Sequence, residues 1–293
     1  MLTLRSIKRP DFRGFAQSLR LDPAGALYEV LIKYAISPIV SRNKNYKVEL
    51  WSKKFEEILR HDKFMLIVLD DARYDFFRLL HADYFKGNLS AVKVPPPHTY
   101  GWLPEVFSNK YFNNIRVFYG SLGISSHDIR IVDFIPKGRN IEIFIVKPNK
   151  MKDIGTVLPE EINEKVREAG LSGRDMIWYV QPHFPWVCDP ELSILLKREA
   201  LLHDFVPPDN IRRALNRLRI DLNRVTRAYL CNLKIALKGA KDLVRFAVSE
   251  GINYDKIIIT SDHGEMLGEY GLFLHQEYEL PQLTLVPWLE VEV

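Results

Sequence analysis

Two continuous apolar runs in the sequence each end in polar residues that can bind ligands. The run 63–69 is followed by an Asp-Asp pair at 70–71, and the run 256–260 is followed by Ser-Asp-His at 261–263. Apolar runs without alternation predict strands that are buried on both faces of a parallel sheet. Because ligands bind beyond the carboxyl ends of such strands, we expect the two polar ends to share one crevice.

Strand and helix patterns alternate along the chain beyond residue 63. Helices are predicted over 74–82, 99–109 and 159–169, and strands over 89–94, 115–119, 141–146, 176–180 and 284–293. A glycine-punctuated loop is expected over 264–271. This alternation predicts an α/β fold, a mostly parallel central sheet with helices on both faces.

Residues 1–62 differ from this pattern and are predicted to form an N-terminal helical extension packed on the core. An apolar helix is expected over 26–37, with a break at Pro38, and an amphipathic helix over 50–60. The remainder, 63–293, contains no repeat and no linker and is predicted to be one domain.

The composition is that of a globular protein, with 47 % hydrophobic and 27 % charged residues and a net charge of +4. The apolar segment 26–40 is too short and too polar to span a bilayer. The first twenty residues are interrupted by basic side chains and show no secretory signal. We therefore expect a cytoplasmic protein in which Cys188 and Cys231 are buried free thiols.

Basic residues are concentrated between 211 and 245, where Arg and Lys face only Asp221 and Asp242. Apolar residues repeat there at helical spacing, so one face is apolar and the other basic. A helix docked on the sheet with a solvated outer face explains this pattern. The alternative is peripheral contact with a phosphate-rich partner such as an anionic membrane; nucleic acid is less expected.

The two polar strand ends supply donors for a metal ion. Asp70, Asp71, Asp262 and His263 offer carboxylate and imidazole groups, which suit Zn²⁺ or Mn²⁺ better than Mg²⁺. The alternative is that the aspartates only cap the following helix and turn. For the whole set we favour a bound cation, because clustered acids at the ends of buried strands need a balancing charge.

Thr99 is the candidate nucleophile. It follows the prolines at 95–97 and is predicted to begin a helix, where backbone N–H groups and the helix dipole favour an anion. A cation bound to its hydroxyl would lower the pKa of that group. The alternative is an ordinary N-cap threonine without a catalytic role.

Four further side chains are candidates near this edge. His183 follows the strand 176–180 and is a candidate proton donor, with a packed loop histidine as the alternative. His275 is expected to lie over the metal, with a solvated loop histidine as the alternative. His98 and Arg73 are candidate substrate contacts, although Arg73 would alternatively form a surface salt bridge.

These motifs resemble the alkaline phosphatase superfamily, and within it the sulfatase-like branch that includes lipid-headgroup phosphotransferases and phosphonate monoester hydrolases. The segment 66–75 resembles the family's first metal-binding strand, and 99–104 its nucleophile helix. The segment 181–185 resembles the substrate histidine motif, and 259–272 together with His275 resembles the remaining ligands and the second substrate histidine.

The resemblance implies that residues 63–293 form an alkaline phosphatase-like catalytic domain that holds a divalent metal ion, Zn or Mn. One ion is expected, and two are the alternative. The implied ligands are Asp70, Thr99, Asp262 and His263, with Asp71 as an additional one.

The implied reaction is hydrolysis or transfer of phosphate mono- or diesters through a threonine nucleophile, on a phosphorylated small molecule or a lipid headgroup. Sulfatases instead convert Cys or Ser in a C/S-x-P-x-R motif, whereas position 99 is Thr followed by Tyr and Gly. Sulfatase-type ester hydrolysis is therefore the weaker alternative. The other is a non-catalytic protein that binds a phosphate ligand or an anionic surface.

Overall fold

The computed structural model describes residues 48–94, 98–121, 131–151, 153–200, 214–275 and 278–292. The helix expected over 26–37 and the break at Pro38 lie outside these residues. The strands are β1 (Glu49–Leu50), β2 (Phe64–Leu69), β3 (Gly87–Lys93), β4 (Ile115–Gly120), β5 (Ile141–Val146), β6 (Arg174–Tyr179), β7 (Lys256–Thr260), β8 (Met266–Leu267), β9 (Phe273–Leu274) and β10 (Leu285–Val291). The α-helices are α1 (Trp51–Leu59), α2 (Tyr74–Leu80), α3 (Thr99–Phe107), α4 (Pro159–Ala169), α5 (Pro190–Ala200), α6 (Leu222–Ser249) and α7 (Pro281–Thr284).

Eight strands form one sheet in the order β1-β3-β10-β7-β2-β6-β4-β5. Only β10 runs antiparallel to its neighbours, β3 and β7, while the other adjacent pairs in this sheet are parallel. The mostly parallel α/β fold is therefore confirmed. Because β7, β2 and β6 are adjacent and parallel, the loops that follow them leave the same edge of the sheet side by side.

Apolar helices cover both faces of the sheet, as predicted. Alternate residues of β2 enter different layers: Phe64, Leu66 and Val68 pack with α1 and α3, whereas Met65, Ile67 and Leu69 pack with α2, α4 and α6. All six β2 side chains are buried, and burial of a large apolar side chain contributes about 1.5–3 kcal/mol. This central strand fixes the position of the residues that follow it.

The described part of the N-terminal extension lies within the first of these layers. The Trp51 indole donates a hydrogen bond to Thr260 Oγ1 at 3.0 Å, and its ring lies 5.1 Å from the ring of Trp102. The division of the chain at residue 62 remains a prediction. Among the described helices, none combines the length and the apolar character needed to cross a bilayer.

Several local elements differ from the sequence pattern. The expected loop 264–271 contains β8, which pairs with β9 in an antiparallel hairpin. The last strand begins at Leu285, because Pro281 opens the short helix α7. The basic region 211–245 is divided, since Arg219 has a left-handed φ of 51° and Asp221 caps the start of α6 through its side chain. The helix α5 has no counterpart among the predicted elements.

The prediction of two free thiols is wrong, because Cys188 and Cys231 form a disulfide bond. Their Cα atoms lie 6.1 Å apart, within the range that a disulfide requires. The cysteines are separated by 43 residues in the sequence, so their spacing gave no indication of pairing. The fold places the loop after β6 against α6, and the disulfide joins these two elements.

Candidate active site

The loops after β2 and β7 are joined by buried hydrogen bonds. Ser261 Oγ accepts from the Ala72 amide at 2.8 Å and donates to the His263 carbonyl at 2.6 Å. The Asp71 amide donates to Asp262 Oδ1 at 3.3 Å. These bonds fix the carboxylates of both loops at one edge of the sheet, as the apolar runs predicted.

Gly264 allows a close approach between the β7 loop and α7. A Cβ atom at this position would lie 2.0 Å from the carbonyl oxygen of Gln282, a distance that no side chain tolerates. The Gly264 amide also donates to the Leu283 carbonyl at 2.9 Å. Only glycine fits here, and the close approach holds the neighbouring His263 in place.

Thr99 is the first residue of α3 and is buried against the β7 loop. Its Oγ1 lies 3.0 Å from Asp262 Oδ2, to which it donates, and 3.0 Å from His263 Nε2. These contacts join segments more than 160 residues apart, since Thr99 and Asp262 are separated by 163 positions. The structure therefore brings the candidate nucleophile and two candidate metal ligands together.

Asp70 completes a buried group with Asp262 and His263, in which one donor atom from each residue lies within 4.8 Å of the others. His263 Nδ1 faces two acceptors, the Gly264 carbonyl at 3.0 Å and Asp71 Oδ1 at 2.7 Å. The ring proton therefore belongs on Nδ1, which leaves the lone pair of Nε2 directed toward Thr99 and Asp262.

This donor set fits a divalent cation. Asp70 Oδ1 is buried and accepts no hydrogen bond from any described residue. Burial, and next the charge of Asp262, raise the pKa of Asp70 well above its ordinary value. Buried carboxylates in this state require a compensating positive charge. Mixed carboxylate and imidazole donors are those that Zn²⁺ and Mn²⁺ accept.

Three histidines surround the Asp71 carboxylate. Besides His263, Asp71 Oδ1 lies 3.2 Å from His275 Nδ1, and Asp71 Oδ2 lies 3.7 Å from His183 Nε2. Burial alone would raise the pKa of Asp71, but the histidines, His275 first, lower it well below its ordinary value. The ring centroids of His183 and His275 are 5.4 Å apart, so the two candidate proton donors flank one position.

The two outer histidines have opposite pKa shifts. Burial lowers the pKa of His183. Burial would also lower the pKa of His275, but Asp71 and then Glu265 outweigh it and raise the pKa well above its ordinary value. The His183 and His275 side chains are 16 % and 23 % exposed, whereas those of His263 and Asp71 are fully buried. The two histidines therefore line the solvent-facing side of the site.

Solved structures match this chain at low sequence identity. The C-terminal periplasmic domain of EcEptC from Escherichia coli gives a TM-score of 0.53 at 12 % identity, covering 79 % of this chain and 73 % of that one. BT1596, a 2-O GAG sulfatase, gives 0.52 at 12 % identity, covering 80 % and 65 %. The fold is alkaline phosphatase-like. No protein-family model matches the chain, and no curated protein matches its sequence.

The resemblance inferred from the motifs is confirmed for the fold. The Escherichia coli domain was also solved in complex with Zn, and that structure gives a TM-score of 0.50 at 11 % identity over 79 % of this chain and 73 % of that one. One structure of this neighbour thus contains Zn.

The prediction of a cytoplasmic location is contradicted. The alkaline phosphatase-like neighbour from Escherichia coli is a periplasmic domain. The bond between Cys188 and Cys231 agrees with this correction, because disulfides persist in oxidising compartments. The predicted location depended on the charges of the first twenty residues, and the predicted free thiols depended on the spacing of the cysteines. Cysteine spacing does not show which cysteines the folded chain brings together.

The two predicted substrate contacts, Arg73 and His98, have partners within the protein. The Arg73 guanidinium pairs with Asp75 at 2.6 Å and with Glu269 at 2.5 Å, and it donates to the Glu265 carbonyl at 3.2 Å. Arg73 therefore forms salt bridges, as the alternative expected, but its own side chain is buried while Asp75 and Glu269 are more exposed. His98 caps α3, since its Nδ1 accepts from the Gly101 amide at 3.0 Å.

Glu265 belongs to the site but was not predicted as a functional residue. Its side chain is buried, and Oε2 lies 3.9 Å from His275 Nδ1. Burial, and next the charge of Asp71, raise the pKa of Glu265 well above its ordinary value. Glu265 stands two positions after His263 in the same motif. The sequence therefore placed a carboxylate near the site but did not show that its side chain lies beside His275.

Proposed function

We propose that the protein is a metal-dependent hydrolase or transferase that acts on phosphate mono- or diesters with Thr99 as its nucleophile. One observation carries this proposal: Thr99 Oγ1 lies 3.0 Å from both Asp262 Oδ2 and His263 Nε2, at the N-terminus of α3. A hydroxyl in this position combines an anion-favouring helix end with a carboxylate that accepts its proton. The substrate proposed is a phosphorylated small molecule or a lipid headgroup.

The proposed cofactor is one Zn²⁺ or Mn²⁺ ion held by Asp70, Thr99, Asp262 and His263. When bound, such an ion neutralises charge on the phosphoryl oxygens and lowers the pKa of the threonine hydroxyl. The unpaired Oδ1 of Asp70 and the grouping of Asp70, Asp262 and His263 support this assignment. Asp71 also lies in two further groups of candidate ligands, so a second ion is the alternative.

The chain's own residues account for the proton movements of the proposed reaction. The Thr99 hydroxyl loses its proton to Asp262 Oδ2, and Oγ1 forms the new bond to phosphorus. The ester bond to the leaving oxygen breaks, and His275 or His183 protonates that oxygen. Water or an acceptor alcohol then attacks phosphorus and gives its proton to the same imidazole. The bond between phosphorus and Thr99 Oγ1 breaks, and Asp262 returns its proton to Oγ1.

A panel of esters tests the proposal. The purified protein, with its metal content measured by elemental analysis, is assayed with nitrophenyl phosphate, phosphodiester, phosphonate and sulfate esters in Mn²⁺ or Zn²⁺. We expect turnover of a phosphate ester, and a loss of at least about 10²-fold in Thr99→Ala. Loaded protein that turns over none of the esters rejects the enzyme, and an active Thr99→Ala variant rejects the nucleophile. Faster turnover of sulfate esters favours the sulfatase-type alternative.

A second proposal concerns one face of α6. Arg227, Lys234, Lys238 and Arg245 are exposed, and their spacings of 7, 4 and 7 residues place them on one stripe of the helix. None of the four forms an ion pair among the described residues. We propose that this basic stripe rests on an anionic membrane surface, where phosphate groups supply the missing negative charge. The disulfide supports an oxidising compartment for this contact.

A further inference from the structure

The loop at 181–189, which we call the His183 loop, brings an imidazole to the site without regular backbone hydrogen bonding. Pro182 and Pro185 stand directly before and after the pair His183-Phe184, and neither proline has a backbone N–H group. Most of this loop is buried, so its carbonyl groups need donors from elsewhere in the molecule. The loop therefore depends on a neighbouring element for its conformation.

Asn232 of α6 supplies these donors. Its side chain is completely buried, and its Nδ2 donates to the carbonyl oxygens of Pro185 at 3.1 Å and His183 at 3.2 Å. Its Oδ1 accepts from the Val187 amide at 2.8 Å. One carboxamide thus satisfies backbone groups on both sides of the loop's centre.

His183 is held from both ends of its own backbone. Its amide donates to the Asp70 carbonyl at 3.1 Å, and its carbonyl accepts from Asn232. Between these two anchors the ring places Nε2 at 3.7 Å from Asp71 Oδ2. The orientation of the imidazole therefore depends on the bond from Asn232.

Two other contacts from α6 hold the far end of the loop. Cys231 is bonded to Cys188, and Arg224 pairs with Asp189 through two hydrogen bonds of 2.6 and 2.8 Å. These contacts keep the loop on α6 but do not involve His183. Asn232 is distinguished by its direct bond to the residue that carries the imidazole.

We propose that Asn232 is a positioning residue that sets His183 in the active site. The inference rests on the proposed function, and it assigns a role to a residue outside the group of ligands and histidines. Without the carboxamide donor, the buried carbonyls of His183 and Pro185 turn toward water, and the ring moves with its backbone. A displacement of about 1 Å in a reacting group costs about 10²-fold in rate.

Asn232→Asp tests this role, because it keeps the shape of the side chain and removes the donor. Asn163→Asp is the matched control: Asn163 is also buried, donates to the Gly239 carbonyl at 2.9 Å and accepts from Tyr179 at 2.6 Å. We expect kcat on the best phosphate ester to fall about 10²-fold in Asn232→Asp. In Asn163→Asp we expect kcat within about twofold of the unmodified protein, after a comparable loss of stability.

A double-mutant cycle separates positioning from a general loss of structure. In a His183→Ala background, Asn232→Asp is expected to lower kcat no further than about twofold, whereas its effect alone is large. Equal losses in both backgrounds overturn the proposal. If Asn232→Asp does not fold, Asn232→Ser carries the same cycle, since it removes the carboxamide without adding charge.

Imidazole NMR distinguishes this proposal from the proposed function. The His183 ring resonances, assigned by their loss in His183→Ala, are expected to shift in Asn232→Asp and to stay in place in Asn163→Asp. His81, whose Nδ1 lies 3.1 Å from the Arg78 carbonyl, is the internal reference. Unmoved His183 resonances in Asn232→Asp overturn the positioning role. If the resonances move while the loaded protein turns over no ester, the positioning role stands and the proposed function fails.

Discussion

At the scale of single residues, Asp71 has a backbone conformation that is unfavourable for a residue other than glycine. Asp71 has a φ of 66°, in the left-handed region, which costs a non-glycine residue about 1–2 kcal/mol. Two bonds offset this cost: the Asp71 amide donates to Asp262 at 3.3 Å, and its carbonyl accepts from Tyr229 at 2.8 Å. The turn directs the carboxylate of Asp71 toward the histidines, whereas that of Asp70 lies with Asp262 and His263.

Gly264 gives a prediction at the same scale. Gly264→Ala places a Cβ atom against the Gln282 carbonyl, and we expect a loss of about 3 kcal/mol in the free energy of unfolding together with a reduced metal content. Gly138→Ala is the control, since nothing lies within 4 Å of its Cβ and only its φ of 81° opposes the change, at about 1 kcal/mol. Urea unfolding and elemental analysis measure both effects. Equal losses in the two variants contradict the close approach.

The residues of the site were largely visible in the sequence because their signals are local. An apolar strand followed by acids, and a threonine after prolines, each place a side chain at a known edge of a parallel sheet. The direction of a side chain is not local. Arg73 was expected either at the substrate or in a salt bridge, and the sequence did not show that Asp75 and Glu269 would pair with it. Glu269 lies between β8 and β9, in a hairpin that the sequence pattern predicted as a loop.

At the scale of whole elements, periodicity predicted the helices and strands but not their partners. The bounds of α4 agree with the sequence pattern, because its apolar spacing and Pro159 define both face and start. The antiparallel course of β10 could not be read in the same way, since strand direction depends on a neighbour distant in sequence. The disulfide between the His183 loop and α6 could not be predicted for the same reason, because its two cysteines become neighbours only in the folded chain.

The basic stripe of α6 leads to a prediction at this scale. Reversing its four cations to glutamate is expected to lower association with phosphatidylglycerol vesicles at least about 1000-fold at low salt, since each cation near the surface contributes about 1 kcal/mol. The matched control reverses four exposed lysines elsewhere and gives the same net charge. These control residues are Lys53, Lys86, Lys137 and Lys147.

Co-sedimentation with anionic phosphatidylglycerol vesicles and with zwitterionic phosphatidylcholine vesicles measures the effect. We expect little binding to phosphatidylcholine and a loss of binding as salt rises. Equal losses in the two quadruple variants, or no binding by the unmodified protein, contradict a membrane contact through α6. Stronger binding to duplex DNA than to the vesicles assigns the stripe to nucleic acid instead.

Over the whole molecule, the cluster of buried acids is a point where segments distant in sequence meet. The loops after β2, β6 and β7 and the start of α3 converge there, and the two sheet layers support them from either side. The sequence predicted this convergence from the strand ends alone. It could not predict the charge state of the cluster, which depends on burial and on how closely Asp70, Asp262 and Asp71 approach one another.

That charge state makes stability depend on metal and on pH together. The pKa values of Asp70, Glu265 and His275 are raised in the folded protein, so without metal the folded state binds more protons than the unfolded chain. Stability of the chelated protein is therefore expected to fall as the pH rises from 5 to 8. The lowered pKa of His183 alone would make stability rise with pH, but it is one group against the three whose pKa values are raised.

Thermal unfolding with and without chelator, at both pH values, measures this linkage. A Zn²⁺ concentration of about 100 times the dissociation constant at pH 8 is expected to add about 2.7 kcal/mol of stability at that pH. The same concentration is expected to add less at pH 5, where protons compete with the ion for the carboxylates. Asp70→Asn removes one of the three groups, so the chelated variant is expected to lose less stability between the two pH values. A chelator that leaves the unfolding temperature unchanged at pH 8 contradicts a metal-balanced cluster, because the buried carboxylates would then be stabilised by protons alone.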